Sequence, residues 1–238
     1  MNSELIKSLI KQEFKNWKIS EIIGIALFLA VILFNATVMH DNTIAVISAI
    51  CGMLYTVFAG KGKISCYIFG LTGSGFYTYL AFSNSLWGNL ALYILYYIPM
   101  QILGIFKWKK HLKPVSNEIY KTFLPKKNRI IIGIISILLC FIFAIILYYT
   151  KDSYPVLDGV VTALSITGMY LTIKRAIEQW FVWGIVNAIS VVIWINITLN
   201  GGKTLSTSVM WLGYLLLAVY FYKEWEKEIK SQTSILHK

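Results

Sequence analysis

The chain has 238 residues, of which 57% are hydrophobic and only 14% are charged. Soluble globular domains are about 45–50% apolar and about 25% charged, so this composition excludes a water-soluble globular protein and a disordered chain. The net charge of +11 would suit a nucleic-acid-binding protein. The basic residues, however, lie in the gaps between apolar runs, which is typical of a protein with several membrane spans.

Eight apolar runs each come close to the roughly 20 residues that a helix needs to cross a bilayer. They cover 20–37, 41–59, 64–82, 86–106, 129–149, 155–173, 180–199 and 205–222. We therefore expect an all-α integral membrane protein with eight transmembrane helices. A basic amphipathic segment, Leu5 to Trp17, precedes the first run, and we expect it to lie on the membrane surface.

The basic residues are distributed unevenly between alternate loops. Of the 22 Lys and Arg residues, all but Lys151 and Lys203 fall in the two tails and in the loops after the second, fourth and sixth runs. By the positive-inside rule, this places both termini in the cytoplasm. Topology and anionic lipid headgroups explain the charge, so we expect the lipid bilayer, and no nucleic acid, as its partner.

The second to fourth runs resemble the sixth to eighth. Gly52-Met53-Leu54-Tyr55 corresponds to Gly168-Met169-Tyr170-Leu171, and Tyr97 and Trp108 correspond to Tyr214 and Trp225. Equivalent helices are four spans apart and cross in the same direction. The sequence therefore predicts a parallel 3+1+3 repeat with one extra N-terminal helix. Transporters built from repeats usually bind substrate between the two units.

The repeat divides the chain into five expected regions. They are an amphipathic segment with the extra helix (1–40), the first repeat (41–106), a cytoplasmic loop with the linker helix (107–154), the second repeat (155–222) and a cytoplasmic tail (223–238).

Ionisable residues are nearly absent from the apolar runs. Asp158, Glu21 and Glu178 lie near predicted helix ends, and no His, Asp or Glu cluster could bind a catalytic metal or perform acid–base chemistry. The three cysteines have no metal-type spacing. We therefore expect no cofactor, no bound metal, no enzymatic activity and no ion-driven transport.

Aromatic and amide side chains instead form stripes on three predicted helices, at helical spacing. On the seventh they are Trp180, Trp183, Asn187, Ser190 and Trp194; on the fourth, Asn89, Tyr93, Tyr97 and Gln101; on the eighth, Thr207, Trp211 and Tyr214. Pro99 lies within the fourth run and predicts a bend there.

These stripes have two interpretations. Buried amides can hydrogen-bond neighbouring helices while aromatic side chains fill the core or the membrane interface. Alternatively, they line a cavity for a flat, polar, ring-bearing solute, because aromatic faces attract a cationic ring and amides bind its substituents. An anionic, phosphorylated ligand would require a charged lining, which is missing.

Several motifs resemble the PnuC family of bacterial nicotinamide riboside transporters, over about residues 41–226. They are Trp87-Gly88-Asn89, Tyr96-Tyr97-Ile98-Pro99-Met100-Gln101, Gly104…Trp108, Trp180-x-x-Trp183-x-x-x-Asn187 and Gly213-Tyr214…Trp225. The resemblance implies a 3+1+3 fold similar to that of sugar-transporting SWEET proteins, with the repeat present in one chain.

The resemblance also implies a function. A homotrimer would import nicotinamide riboside, the vitamin B3 nucleoside used for NAD biosynthesis, across the inner membrane by facilitated diffusion with alternating access, and intracellular phosphorylation would trap it. Carried over by motif, the substrate-binding residues are Gln101, Trp183, Asn187 and Tyr214, with Trp180, Asn89, Tyr93 and Tyr97 as further candidates. Related branches of the family transport thiamine or riboflavin, which remain alternative substrates. A membrane enzyme or a non-transporting scaffold is the alternative from a different functional class.

Overall fold

The computed structural model describes residues 13–39, 42–83, 87–114, 116–150, 154–200 and 205–236. Within these ranges the chain forms eight helices, and its only β-structure consists of isolated bridges. The helices are α1 (Ile19–Met39), α2 (Thr43–Gly60), α3 (Cys66–Ser83), α4 (Trp87–Leu92, Tyr93–Tyr97 and Ile98–Lys109 in succession), α5 (Lys126–Tyr149), α6 (Pro155–Ile173), α7 (Glu178–Leu199) and α8 (Leu205–Leu236). The expectation of an all-α protein is confirmed.

Six of these helices are long and apolar enough to cross a membrane, judged by length and composition over the described residues. They are α1, α2, α4, α5, α6 and α7. Helix α3 is less apolar because it contains the run Thr72-Gly73-Ser74-Gly75. Helix α8 begins with an apolar stretch and continues into a charged one. Six spans are supported by length and composition, and the count of eight stays a prediction.

Helix α8 does not end where its apolar run ends. The predicted tail, from residue 223, is helical as far as Leu236. Trp225 and Ile229 are buried on one face, and Glu226 pairs with Lys230 at 2.8 Å on the exposed surface. An apolar stripe and an ion pair four residues apart both stabilise the continuation of the helix beyond its apolar run.

The N-terminal amphipathic segment is described only from Glu13 onward, and the rest of the predicted Leu5–Trp17 segment lies outside the described residues. Phe14 and Trp17 pack against Phe58 of α2, with ring centroids 6.2 and 5.2 Å away. The described part of this segment is thus held by aromatic contacts with the protein.

The chain divides into two compact units, Met1–Tyr120 and Lys121–Lys238. In the first, α3 packs against α2 and α4, and Gly73 permits close approach to Cys51. In the second, α6 packs against α5 and α7, and α7 also packs against α8. Gly159 lies so close to α5 that a Cβ there would be 2.5 Å from the backbone nitrogen of Ala144.

Each unit contains a tight turn with the same hydrogen-bond pattern, between α2 and α3 and between α6 and α7. The amide of the first loop residue bonds the carbonyl four positions back, at 3.0 Å for Lys61 and 3.1 Å for Lys174. The next residue has a left-handed backbone, with φ of 72° at Gly62 and 59° at Arg175. Burial lowers the pKa of the Arg175 guanidinium, because the charged form loses solvation.

The loop after α4 pairs with the turn of the first unit. The Ile119 amide donates to Gly62 O at 2.9 Å. Beside it, the fully buried Lys63 ammonium lies 3.5 Å from a carboxylate oxygen of Glu118. A buried ion pair and a backbone hydrogen bond therefore hold this loop against the first turn.

The residues just before α5 pair with the turn of the second unit. The Thr122 amide donates to Arg175 O at 3.1 Å, and the Ile177 amide donates to Thr122 O at 3.0 Å. Lys121 forms an ion pair with Glu228 of α8, and its ammonium lies 5.2 Å from the centre of the Trp225 ring. These contacts join α8 to the loop before α5.

Candidate functional site

The stripe predicted on α7 is the buried face of that helix. Asn187 and Ser190 are 6% and 3% exposed, and among the described residues no group hydrogen-bonds either side chain. A buried amide without a partner costs on the order of 1–3 kcal/mol. These two polar groups are therefore available to a ligand that enters the protein.

Trp183 lies one turn before Asn187 on the same face and is half-buried. Its indole Nε1 donates to Thr172 Oγ1 of α6 at 3.4 Å. The ring lies against Gly168, where a Cβ would be only 2.8 Å from Trp183 Cε2. Two residues of α6 thus contact this ring.

Trp180 begins the same stripe but has different neighbours. It is 4% exposed, and its ring lies 5.2 Å from that of Phe221 and 5.7 Å from that of Trp225, both on α8. Its buried Nε1 has no acceptor among the described residues. The structure places Trp180 in an aromatic cluster at the start of α7.

Gln101 of α4 is 5% exposed and contacts α3. Its Nε2 donates to Ser74 Oγ at 2.8 Å, whereas its buried Oε1 has no donor among the described residues. Gly70 makes room for this amide, because a Cβ there would lie 2.5 Å from Gln101 Oε1. Gln101 thus keeps one acceptor unused.

The tyrosines of the stripe predicted on the fourth helix cluster where α4 widens. The amide of Ile98 donates to Tyr93 O, five residues back, so Tyr93–Tyr97 forms a π-helical turn that ends two residues before Pro99. Turns of this kind often occur at functional sites. The Tyr93 ring stacks on that of Tyr77 at 4.4 Å and lies 5.0 Å from that of Tyr97.

The two remaining predicted site residues differ in how far they can be described. Tyr214 of α8 is half-buried, and its ring lies 5.9 Å from that of Trp211. Asn89 falls in the first segment of α4, but its side chain lies outside the described residues.

Three residues that hold the predicted side chains did not emerge as candidates from the sequence. They are Ser74, which bonds Gln101, and Thr172 and Gly168, which hold Trp183. Small residues on α3 and α6 were the only signal for them.

Within the described ranges, no group of three His, Cys, Asp or Glu residues could hold a metal ion. Glu178 at the start of α7 pairs with Arg129 at 2.6 Å.

Comparison with known proteins agrees with these motifs. The family model described as nicotinamide mononucleotide transporter matches residues 42–227. The nicotinamide riboside transporter PnuC of Neisseria mucosa is 30% identical over 225 residues, which cover 92% of this chain and 86% of that protein. The protein of the same name from Haemophilus influenzae is 30% identical over 224 residues, which cover 93% and 96%.

A solved structure is also similar. The crystal structure of the vitamin B3 transporter PnuC matches with a TM-score of 0.78 and 31% identity, over 93% of this chain and 97% of that chain. The family model spans most of the sequence, and the relatives align along most of their length. This multi-pass membrane protein therefore belongs to the nicotinamide mononucleotide transporter family, together with the PnuC proteins it resembles.

Proposed function

We propose that this protein carries nicotinamide riboside across the bacterial inner membrane by facilitated diffusion. Relatives with this named activity align with nearly the whole chain. The observation that carries the proposal is the buried amide of Asn187, which has no hydrogen-bond partner among the described residues and lies one helical turn from the half-buried indole of Trp183. An aromatic surface beside an unused amide suits a planar ring that bears polar groups.

The ligand chemistry suggests a role for each residue. Nicotinamide riboside contains a pyridinium cation, which is attracted to aromatic faces by about 0.5–2 kcal/mol each. Trp183 and Tyr214 would contact this ring, and Asn187 and Gln101 would hydrogen-bond the carboxamide or the ribose hydroxyls. Gln101 would accept a hydrogen bond through its Oε1, which has no donor among the described residues, while one N–H of its Nε2 is bonded to Ser74 Oγ.

The four further candidate residues have supporting roles in the proposed site. Tyr93 and Tyr97 would contribute aromatic surface from the π-helical turn, and Asn89 would add an amide. Trp180 would anchor the start of α7, since it packs among the aromatic side chains of α8.

The riboside is a better substrate for this chain than the mononucleotide. A phosphate would require Arg, Lys or a cluster of amide donors. Helix α7 has no charged residue after Glu178, and α2, α3 and the part of α4 before Lys107 have none. An uncharged lining favours the unphosphorylated nucleoside.

The proposed architecture has eight spans, a 3+1+3 parallel repeat of seven helices preceded by one extra N-terminal helix. The matching turns support it: Lys61 and Gly62 correspond to Lys174 and Arg175, 113 positions later. Both termini would be cytoplasmic, and the two repeats would expose the site alternately. Intracellular phosphorylation would trap the product, the protein would perform no catalysis, and it would assemble as a homotrimer.

Calorimetry on the purified protein tests the site. We expect Trp183→Ala and Asn187→Ala to abolish nicotinamide riboside binding while melting temperature and monodispersity stay near those of the wild type. Thr167→Val, on α6 but bonded to Ser136 of α5, is the matched control and should bind normally. Wild-type affinity in both site variants would reject the site.

Competition identifies the vitamin. Nicotinamide mononucleotide, thiamine and riboflavin are titrated against bound nicotinamide riboside. We expect none of them to displace it at equal concentration. Tighter binding of thiamine or riboflavin would assign the chain to another substrate, and tighter binding of the mononucleotide would contradict the argument from the uncharged lining.

Uptake of labelled nicotinamide riboside into proteoliposomes tests the mechanism. Sodium and proton gradients are imposed separately while the membrane potential is held at zero. We expect equilibration without accumulation under every condition. Accumulation that depends on either gradient would overturn facilitated diffusion, and absence of saturable uptake would favour a scaffold.

A further inference from the structure

We infer that Thr172 and Gly168 of α6 are positioning residues that set the orientation of Trp183, and thereby determine how well the site binds a planar cationic ring. The inference rests on the proposed function for its ligand. Neither residue belongs to the set that the sequence motifs single out for binding.

The contact at Thr172 has a defined direction. The indole N–H can only donate, so Thr172 Oγ1 accepts its hydrogen bond, at 3.4 Å. The hydroxyl hydrogen of Thr172 is used on the other side, where it donates to Gly168 O at 2.9 Å. The chain of two hydrogen bonds fixes the hydroxyl, which in turn fixes one edge of the indole.

Gly168 fixes the ring in a second way. A Cβ at this position would lie 2.8, 3.1 and 3.2 Å from Cε2, Cζ2 and Cδ2 of Trp183. The ring therefore rests directly on the α6 backbone, which is possible only without a side chain at Gly168. Because Thr172 follows Gly168 by one turn, both contacts come from one face of α6.

This arrangement leaves the ring oriented before any ligand arrives. Thr172 is 2% exposed and does not need to touch the ligand. A stacking residue with a fixed rotamer loses less entropy on binding than a mobile one, so its loss of orientation lowers affinity. The effect of Thr172 should therefore require the indole of Trp183.

A double-mutant cycle tests this dependence. Calorimetric Kd values for nicotinamide riboside are measured for Thr172→Val and Thr172→Ser, each with Trp183 intact and in a Trp183→Phe background. With Trp183 intact, we expect Thr172→Val to raise Kd about 3- to 10-fold, as for the loss of one hydrogen bond, and Thr172→Ser to stay within about twofold. In the Trp183→Phe background, which lacks the N–H, Thr172→Val should change Kd by less than about twofold.

Two matched controls separate positioning from general packing. Thr167→Val removes another buried hydroxyl of α6, bonded to Ala163 O and to Ser136, and should leave Kd unchanged. Gly168→Ala should raise Kd more than Gly184→Ala, because a Cβ at Gly184 meets nothing within 4 Å. An unchanged Kd for Thr172→Val, or an equal loss in both backgrounds, would overturn the inference.

Tryptophan fluorescence without ligand makes the test independent of the substrate. Thr172→Val should shift the emission of the protein that retains Trp183 and leave that of Trp183→Phe unchanged. Equal shifts in both backgrounds would overturn the inference even where binding is too weak for calorimetry. If the wild type binds no nicotinamide riboside, the proposed function fails while the fluorescence comparison still decides on Thr172.

Discussion

Gln101 and Ser74 join α4 to α3 through a hydrogen bond of 2.8 Å from the amide Nε2 to the hydroxyl Oγ. The bond orients the amide so that Oε1 stays buried and unused. It predicts that Ser74→Ala weakens nicotinamide riboside binding about 3- to 10-fold, as the loss of one hydrogen bond would.

The control for this prediction is Ser48→Ala. Ser48 donates to Gly73 O of α3 at 3.1 Å and should influence stability without changing Kd. Calorimetry on both variants distinguishes the cases. Equal affinity in the two variants would contradict the proposal that Ser74 orients Gln101 for the ligand.

Gly104 is required by the fully buried ring of Tyr67. A Cβ at Gly104 would overlap Cζ and Oη of Tyr67, whose ring packs against Trp108 at 5.0 Å. We expect Gly104→Ala to destabilise the protein by about 1–3 kcal/mol through overpacking, measured as a lower melting temperature in detergent.

Two further variants check this assignment. Tyr67→Phe should partly restore the melting temperature of Gly104→Ala, because it removes one of the overlapping atoms. Gly75→Ala should have little effect, since nothing lies within 4 Å of a Cβ there. A melting temperature for Gly104→Ala equal to that of Gly75→Ala would contradict the packing argument.

The buried pair of Lys63 and Glu118 holds the loop after α4 against the first turn. Glu118→Gln leaves the Lys63 ammonium, which also donates to Ser116 O at 2.9 Å, without its counter-charge. Removing one partner of a buried pair typically costs about 3–5 kcal/mol, so we expect a marked loss of thermal stability and faster proteolysis of residues 110–120. Glu226→Gln breaks an exposed pair with Lys230 and should cost less than about 1 kcal/mol.

Binding should be insensitive to pH. The side chains proposed to contact the ligand are amides, indoles and phenols, none of which normally titrates between about pH 6 and 8. We expect Kd for nicotinamide riboside to vary less than about twofold across this range, by calorimetry in buffers of matched ionic strength. A change of tenfold would reveal a titrating group in the site.

The helices could be predicted from the sequence because a membrane-spanning helix is recognised by the length and hydropathy of its own segment. Neither property depends on which helices pack against it. The run 155–173 coincides with α6, and the run 180–199 begins two residues after Glu178. The helical continuation of α8 after Tyr222 was not predicted, because hydropathy identifies only the apolar run, whereas buried Trp225 and Ile229 lie on the continued helix.

The supporting contacts of the site could not be predicted in the same way. Spacing shows that Trp183 and Asn187 share a face of α7, but the residue of α6 that meets the indole depends on the rotation of both helices. The contacts of the indole with the Thr172 hydroxyl and with the backbone at Gly168 depend on the tertiary structure. The π-helical turn at Tyr93–Tyr97 is similar: Pro99 predicted a bend, but not a widened turn before it.

The absence of charged residues from α7 beyond Glu178 has an electrical consequence. With no carboxylate on α7 beyond Glu178 to accompany the pyridinium, each nucleoside would take one uncompensated positive charge through the bilayer. A resting potential of 100 mV, negative inside, is worth about 2.3 kcal/mol per charge. Voltage alone would then concentrate the vitamin in the cell, and transport would register as an inward current.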